Sequence, residues 1–257
     1  MEQKITHSLN SHLTRVNENH TLIYIGLCGS QNYGLATEES DVDTKAIILP
    51  SVSDIALGKK MVSHTLSFDD GAQCDVKDVR YMVHNFLKQN INFLEILFTE
   101  HYYFNAKYYN FVNFLRENAE RIAHYNPVAC IRAMYGMAIE KHKALEKITP
   151  ASQLKIEKWG YDPKQLLHIV RLREFMEDYL KGKTFAQCLD CGHKEYLMKI
   201  KRGDFELASA RTIAETELKV MELLVDKHEI IPGDTLIEGE LNDALVDLFK
   251  SHFKEGN

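Results

Sequence analysis

No apolar run in this 257-residue chain is long enough to cross a bilayer: the longest, such as residues 22–28 and 46–49, are strand-sized, against the roughly 20 residues that a spanning helix needs. The N-terminus, Met1-Glu2-Gln3-Lys4-Ile5-Thr6-His7, lacks the basic start and apolar stretch of a secretory signal. Cysteines are few and odd in number, five in all, and Cys28, Cys74 and Cys130 stand in apolar surroundings. The expectation is a cytoplasmic protein with reduced, buried thiols. An excess of base is also lacking. Lys and Arg total 31 against 37 Asp and Glu, a net charge of −6, which disfavours a generally basic nucleic-acid binder. Internal repeats, heptad arrays and low-complexity tracts are absent too. What is present is an ordinary globular composition, 45% hydrophobic and 26% charged, which excludes a disordered or fibrous chain. Surface scaling buries roughly 73% of the unfolded area at this size, so the core needs no disulfide or structural metal.

The character of the chain changes near residue 105. Before it, short β-type runs at 21–28, 42–50, 61–68 and 72–79 alternate with turn signals such as Gly29-Ser30, Pro50 and Asp69-Asp70-Gly71. In 72–79 the apolar Cys74 and Val76 alternate with Gln73, Asp75 and Lys77, the period of a sheet with one buried face. From Val79 the period becomes helical. Helices are expected at 107–124, 128–147, 163–181, 191–201, 205–227 and 240–253, with Asp162-Pro163 as a helix start and Pro232-Gly233 as a break. The expected fold is a small mixed α/β domain over 1–105, then an α-helical domain over 106–257 that completes a ligand cleft. A basic segment from Lys141 to Arg173 stands out in the otherwise acidic chain, as a place to hold a compact anion or as a solvated helix face.

Chemistry concentrates between the first two strands. Gly29-Ser30 ends an apolar strand and opens a short helix, so its N–H groups and the Ser30 hydroxyl can face phosphate oxygens. Asp41 and Asp43 are two apart at a strand head and project from one face. Two convergent carboxylates suit Mg²⁺, which protein and substrate phosphates usually hold jointly. In the helical part, Lys164, His168 and Arg171 fall at i, i+4 and i+7. They form one polar stripe able to bind triphosphate oxygens, or to pair with Glu174 and its neighbours.

Cys28-Gly29-Ser30, a short helix and Asp41-Val42-Asp43 opening the next strand resemble the motif of the DNA polymerase β-like nucleotidyltransferase superfamily. That resemblance implies a third carboxylate from a later strand. Asp75 is the candidate because it lies on the polar parity of its run, whereas Asp78 has the opposite parity and Asp69-Asp70 read as a turn. Asn90-Ile91-Asn92-Phe93-Leu94-Glu95-Ile96-Leu97 and Tyr161-Asp162-Pro163-Lys164, with His168 and Arg171-Leu172 beyond, are similar to segments of a group of largely uncharacterised bacterial and phage predicted nucleotidyltransferases.

The resemblance implies a transferase moving a nucleoside monophosphate from an NTP to an acceptor hydroxyl. Two Mg²⁺ (or Mn²⁺) ions would sit on Asp41, Asp43 and Asp75, with Asp75 also serving the acceptor as base. Gly29, Ser30, Lys164, His168 and Arg171 would hold the nucleotide. A small molecule or protein is favoured as acceptor over an RNA end, on net charge. The competing reading is a non-catalytic nucleotide-binding regulatory or antitoxin-like module of the same fold. Cys188, Cys191 and His193 have part of a zinc spacing but no second pair nearby. Glu95, inside an apolar stretch, reads as a buried partner for a base, and the tyrosines and phenylalanine at 102–109 as core or as a stacking surface.

Overall fold

The computed structural model describes residues 2–227 and 233–254, so Pro232 of the expected break lies outside the described residues. The described chain forms two compact units. The first holds the described residues of Met1–Asn32, Ala36–Asn126 and Gly233–Asn257, the second those of Tyr33–Leu35 and Pro127–Pro232. In chain order the elements are α1 (Glu2–Asn17), β1 (Thr21–Leu27), β2 (Thr44–Leu49), α2 (Val52–Ala56), β3 (Ser63–Ser67), β4 (Gln73–Asp78), α3 (Val79–Leu87), α4 (Ile91–Leu94), β5 (Tyr102–Phe104), α5 (Tyr109–Glu117), α6 (Ala119–Ala123), α7 (Pro127–Ala144), α8 (Gln153–Trp159), α9 (Pro163–Leu180), α10 (Phe185–Leu189), α11 (Lys194–Arg202), α12 (Leu207–Lys227) and α13 (Leu236–Lys254). This is the mixed α/β sheet followed by helices that the pattern implied.

The first unit is built on a five-stranded sheet in the order β3-β4-β2-β1-β5. β2 and β4 run parallel; the other neighbours are antiparallel. Helix α1 escaped the sequence reading, although Ile5, Leu9, His12 and Val16 follow a helical period and are buried. Leu9 and Val16 pack with Leu22, Ile25, Ala46, Ile48, Cys74 and Val76, covering one face of the sheet. The register pairs Thr44 with Cys74 and Lys45 with Asp75. Alternation along the strands then places Asp43, Lys45, Gln73, Asp75 and Lys77 on the face opposite α1. Asp78 caps α3, accepting from the Arg80 N–H at 2.8 Å and pairing with its guanidinium at 2.6 Å. Tyr102–Phe104 form an edge strand on β1 rather than core: Tyr103 and Phe104 are exposed, while Tyr108 is buried. The single helix expected at 107–124 is broken at Asn118, whose side chain bonds the Phe114 carbonyl at 3.0 Å. α13 belongs to this unit, held by Arg121 through Asp234 at 2.8 Å and Glu240 at 2.6 Å.

The second unit is organised around α9. Asp162 caps it, accepting from Lys164 N–H at 3.0 Å, and Pro163 takes the first turn where its missing N–H costs nothing. Leu166, Ile169, Val170, Leu172, Phe175 and Met176 bury it among α7, α10, α11 and α12. Arg173 ties α12 to it through Glu217 at 2.6 Å. The helix expected at 191–201 is α11, and α8 and α10 were not anticipated.

Candidate active site

Gly29 follows β1 at φ +79°, and a Cβ there would meet nothing within 4 Å. The glycine is required by its left-handed backbone and not by crowding. The expected short helix is a single 3₁₀ turn, Gly29–Gln31. The backbone fastens this turn to the acidic segment: Cys28 N–H donates to the Asp43 carbonyl at 3.0 Å. Asn32 closes the other side by donating to the Leu27 carbonyl at 3.0 Å.

Asp41-Val42-Asp43 is the extended lead into β2, which begins at Thr44. Val42 is fully buried with Ile5 and Leu27, so the flanking carboxylates face away from that contact. Asp41 is exposed, beside the Gly71 turn. Asp43 is half-buried and accepts from the Gln73 N–H at 2.9 Å. Asp75 lies on the same sheet face one step further along. Its carboxylate is engaged by Lys77 at 3.1 Å, Lys45 at 3.6 Å and the Thr65 hydroxyl at 2.8 Å. Burial would raise the Asp75 pKa, but Lys45, the Thr65 hydrogen bond and Lys77 outweigh it and hold the carboxyl below its usual range.

Two further residues belong to this neighbourhood. Lys45 is 6% exposed and lies 4.7 Å over the Phe93 ring. Burial would lower its pKa, yet Cys28, Glu95 and Asp75 together raise it. Lys45 was missed by the sequence reading; the available signal was a lysine inside an otherwise apolar strand. Glu95 is buried, as expected of a partner for a base, but its Oε2 also accepts from the Gly29 N–H at 3.3 Å. The Cys28 thiol is pushed up by burial, so it stays protonated and is no nucleophile at neutral pH.

In the second unit, Lys164 is exposed, His168 half-buried and Arg171 buried. The Arg171 guanidinium stacks on Tyr33 at 3.7 Å. Burial first, then Arg171, Lys141, Lys164 and Lys155, lower the His168 pKa well below 6.5. The alternative of pairing with Glu174 is not what forms: Glu174 Oε1 takes His193 Nδ1 at 2.8 Å. Cys188 and Cys191 are buried thiols, their nearest acceptors being the Lys183 and Leu189 carbonyls.

Among the described residues no group of three or more His, Cys, Asp or Glu side chains is placed to hold a metal ion. Asp41 and Asp43 nonetheless fit Mg²⁺ or Mn²⁺ in kind. Both are hard oxygen donors, and Mg²⁺ commonly takes only one or two protein carboxylates and completes its shell with phosphates and water.

No curated protein matches the chain. A solved nucleotidyltransferase-like protein from Exiguobacterium sibiricum 255-15 aligns with 88% of this chain and 75% of its own length, at 9% identity and a TM-score of 0.30. A family model, RlaP, described as the RNA repair pathway DNA polymerase beta family, matches residues 1–182. The sheet and its Gly-Ser and Asp-x-Asp segments are those of a DNA polymerase β-like nucleotidyltransferase. Since the family match spans most of the chain, this protein belongs to the RNA repair pathway DNA polymerase beta family.

Proposed function

We propose that the protein transfers a nucleoside monophosphate from an NTP to an acceptor hydroxyl in a reaction dependent on Mg²⁺ or Mn²⁺. The observation that carries this is the backbone bond between Cys28 N–H and the Asp43 carbonyl, 3.0 Å. It holds the Gly29–Gln31 turn beside the segment that carries Asp41 and Asp43. Ser30 receives the triphosphate through its N–H and hydroxyl, with Gly29, whose own N–H is held by Glu95 at 3.3 Å, giving the turn its left-handed entry; Asp41 and Asp43 hold divalent ions with it. When bound, such ions supply charge neutralisation of the phosphates and a lowered pKa for an attacking hydroxyl. Asp75 is the proposed third carboxylate and acceptor base, with Lys45 and Lys77 setting its charge and position. Lys164, His168 and Arg171 are proposed to bind nucleotide phosphates. Catalysis of this kind is chiefly positioning and electrostatics, so few residues suffice.

The family's description in terms of RNA repair favours a second reading of the acceptor, an RNA end, beside the small molecule or protein that net charge suggests. Incubation with each α-labelled NTP, Mg²⁺ or Mn²⁺, and separate RNA, protein and metabolite pools tests both. Label should move to one pool with wild type and not with Asp41→Asn or Asp43→Asn at unchanged melting temperature. Wild-type turnover in either variant overturns the metal assignment; no transfer to any pool favours the non-catalytic nucleotide-binding module.

A further inference from the structure

The second unit buries a cation without giving it an anion. Arg171 is 4% exposed, yet its Nε and Nη1 are buried and have no hydrogen-bond partner. The guanidinium lies on the face of Tyr33, which fixes its plane but satisfies none of its donors. A buried guanidinium ordinarily gains a carboxylate or phosphate in bidentate geometry, because an unpaired charge in a poorly solvated site is costly.

The surroundings deepen this deficit. Lys164 and Arg171 act electrostatically on Lys141, opposed by Asp162, and Arg171, Lys141, Lys164 and Lys155 act on His168. These cations come from α7, α8 and α9, so the cluster is made by packing and is not the stripe of one helix. The nearby acids offset only part of this charge. Asp162 pairs with Lys155 at 3.2 Å, caps α9 and accepts from Gln165 Nε2 at 3.1 Å. Glu174 Oε1 is bonded to His193, 2.8 Å away; its Oε2 is buried without a hydrogen-bond partner, and no ion pair links Glu174 to Arg171 among the described residues.

We infer that Arg171, Lys141, Lys155, Lys164 and His168 form a binding site for a terminal phosphate group, complete within the second unit and independent of divalent metal. This deepens the reading of Lys164, His168 and Arg171 as phosphate ligands and stands apart from the assignment of Asp41 and Asp43. Phosphate oxygens supply the acceptors that the unpartnered Nε and Nη1 of Arg171, on opposite edges of the guanidinium, lack. His168 serves as a hydrogen-bond donor, and the lysines balance the remaining charge. The chemistry is shared by two sources: the terminal phosphate of an NTP and a phosphate at the end of a nucleic-acid strand.

The test is binding by the full-length protein in EDTA, with no divalent metal. The probes are ATP, a short RNA carrying a 5′- or a 3′-phosphate, and the same RNA with hydroxyl ends. At least one phosphorylated probe should bind, and the hydroxyl-ended RNA at least tenfold more weakly than its phosphorylated form if the source is a strand end. Binding of ATP alone assigns the source to the nucleotide. Arg171→Met should weaken the bound probe ten- to a hundredfold, and Lys164→Ala and Lys141→Ala about tenfold. Lys164 and Lys141 are not buried, so their variants keep the test open should Arg171→Met fail to fold. No metal-free binding of any phosphorylated probe, or full affinity in both lysine variants, overturns the site. Failure of the transferase reading shows separately, as absent label transfer with metal-free binding intact.

Discussion

Replacing His12 by Gln should flatten the pH dependence of stability between pH 6.5 and 4. His12 is 1% exposed, stacked 3.8 Å from the Phe68 ring, with Nδ1 2.8 Å from the Thr44 hydroxyl. Burial lowers its pKa from 6.5 to about 4, only partly opposed by the carboxylate of Asp70. Above pH 6.5 the imidazole is neutral in both folded and unfolded chains, and contributes no slope. Between 6.5 and about 4 the unfolded chain takes up a proton that the folded chain refuses, so stability falls as the pH falls. The full drop across that window is about 3 kcal/mol, of which about 2 kcal/mol is already lost at pH 5. Gln can keep a hydrogen bond to Thr44 but cannot titrate. The variant should be the less stable protein at pH 7.5, having lost the ring stack on Phe68. Its deficit should shrink by about 2 kcal/mol at pH 5. Urea denaturation followed by circular dichroism, run on both proteins at pH 7.5, 6 and 5, reads this directly. Other histidines with lowered pKa values, His20 and His168, add the same slope to both proteins and cancel in the comparison. Parallel stability curves, or an NMR titration placing His12 near 6.5, would refute the reasoning.

Lys45→Met keeps the volume but leaves Asp75 short of one lysine and Glu95 near no positive charge from β2; with Asp75 31% exposed, the cost should be about 2 kcal/mol in urea titrations. Gly29→Ala meets no steric obstacle, so its whole penalty is the left-handed backbone, about 1–2 kcal/mol. Label transfer should fall with it, as the turn relaxes away from φ +79°. Gly136→Ala, inside α7 with open space at its Cβ, should instead stabilise by about 0.5–1 kcal/mol. Gly203→Ala sets a Cβ 2.3 Å from Trp159 Nε1 at φ +77° and should cost about 2–4 kcal/mol, with a shift in tryptophan emission. An unchanged spectrum and midpoint would show that Trp159 yields freely.

Where the chemistry is local, it could be read along the chain. Gly29-Ser30 and Asp41-Val42-Asp43 sit within one strand–turn–strand unit, and a buried Val42 between two acids dictates where those acids point, whatever else packs nearby. Alternation likewise put Asp75 on the polar parity of β4, and Asp162-Pro163 marked the start of α9. Periodicity says which face of an element is buried, but not against what. Only the parallel pairing of β2 with β4 brings Lys45 beside Asp75 and turns that carboxylate into half of an ion pair. Only the fold carries Glu95 to the Gly29 N–H and α13 back to the first unit. The polar stripe of α9 reads in sequence as a set of phosphate ligands or as a surface stripe. It is the packing of α9 among other helices that buries Arg171 with its donors unpaired, because burial is set by residues tens of positions away and not by spacing along one helix.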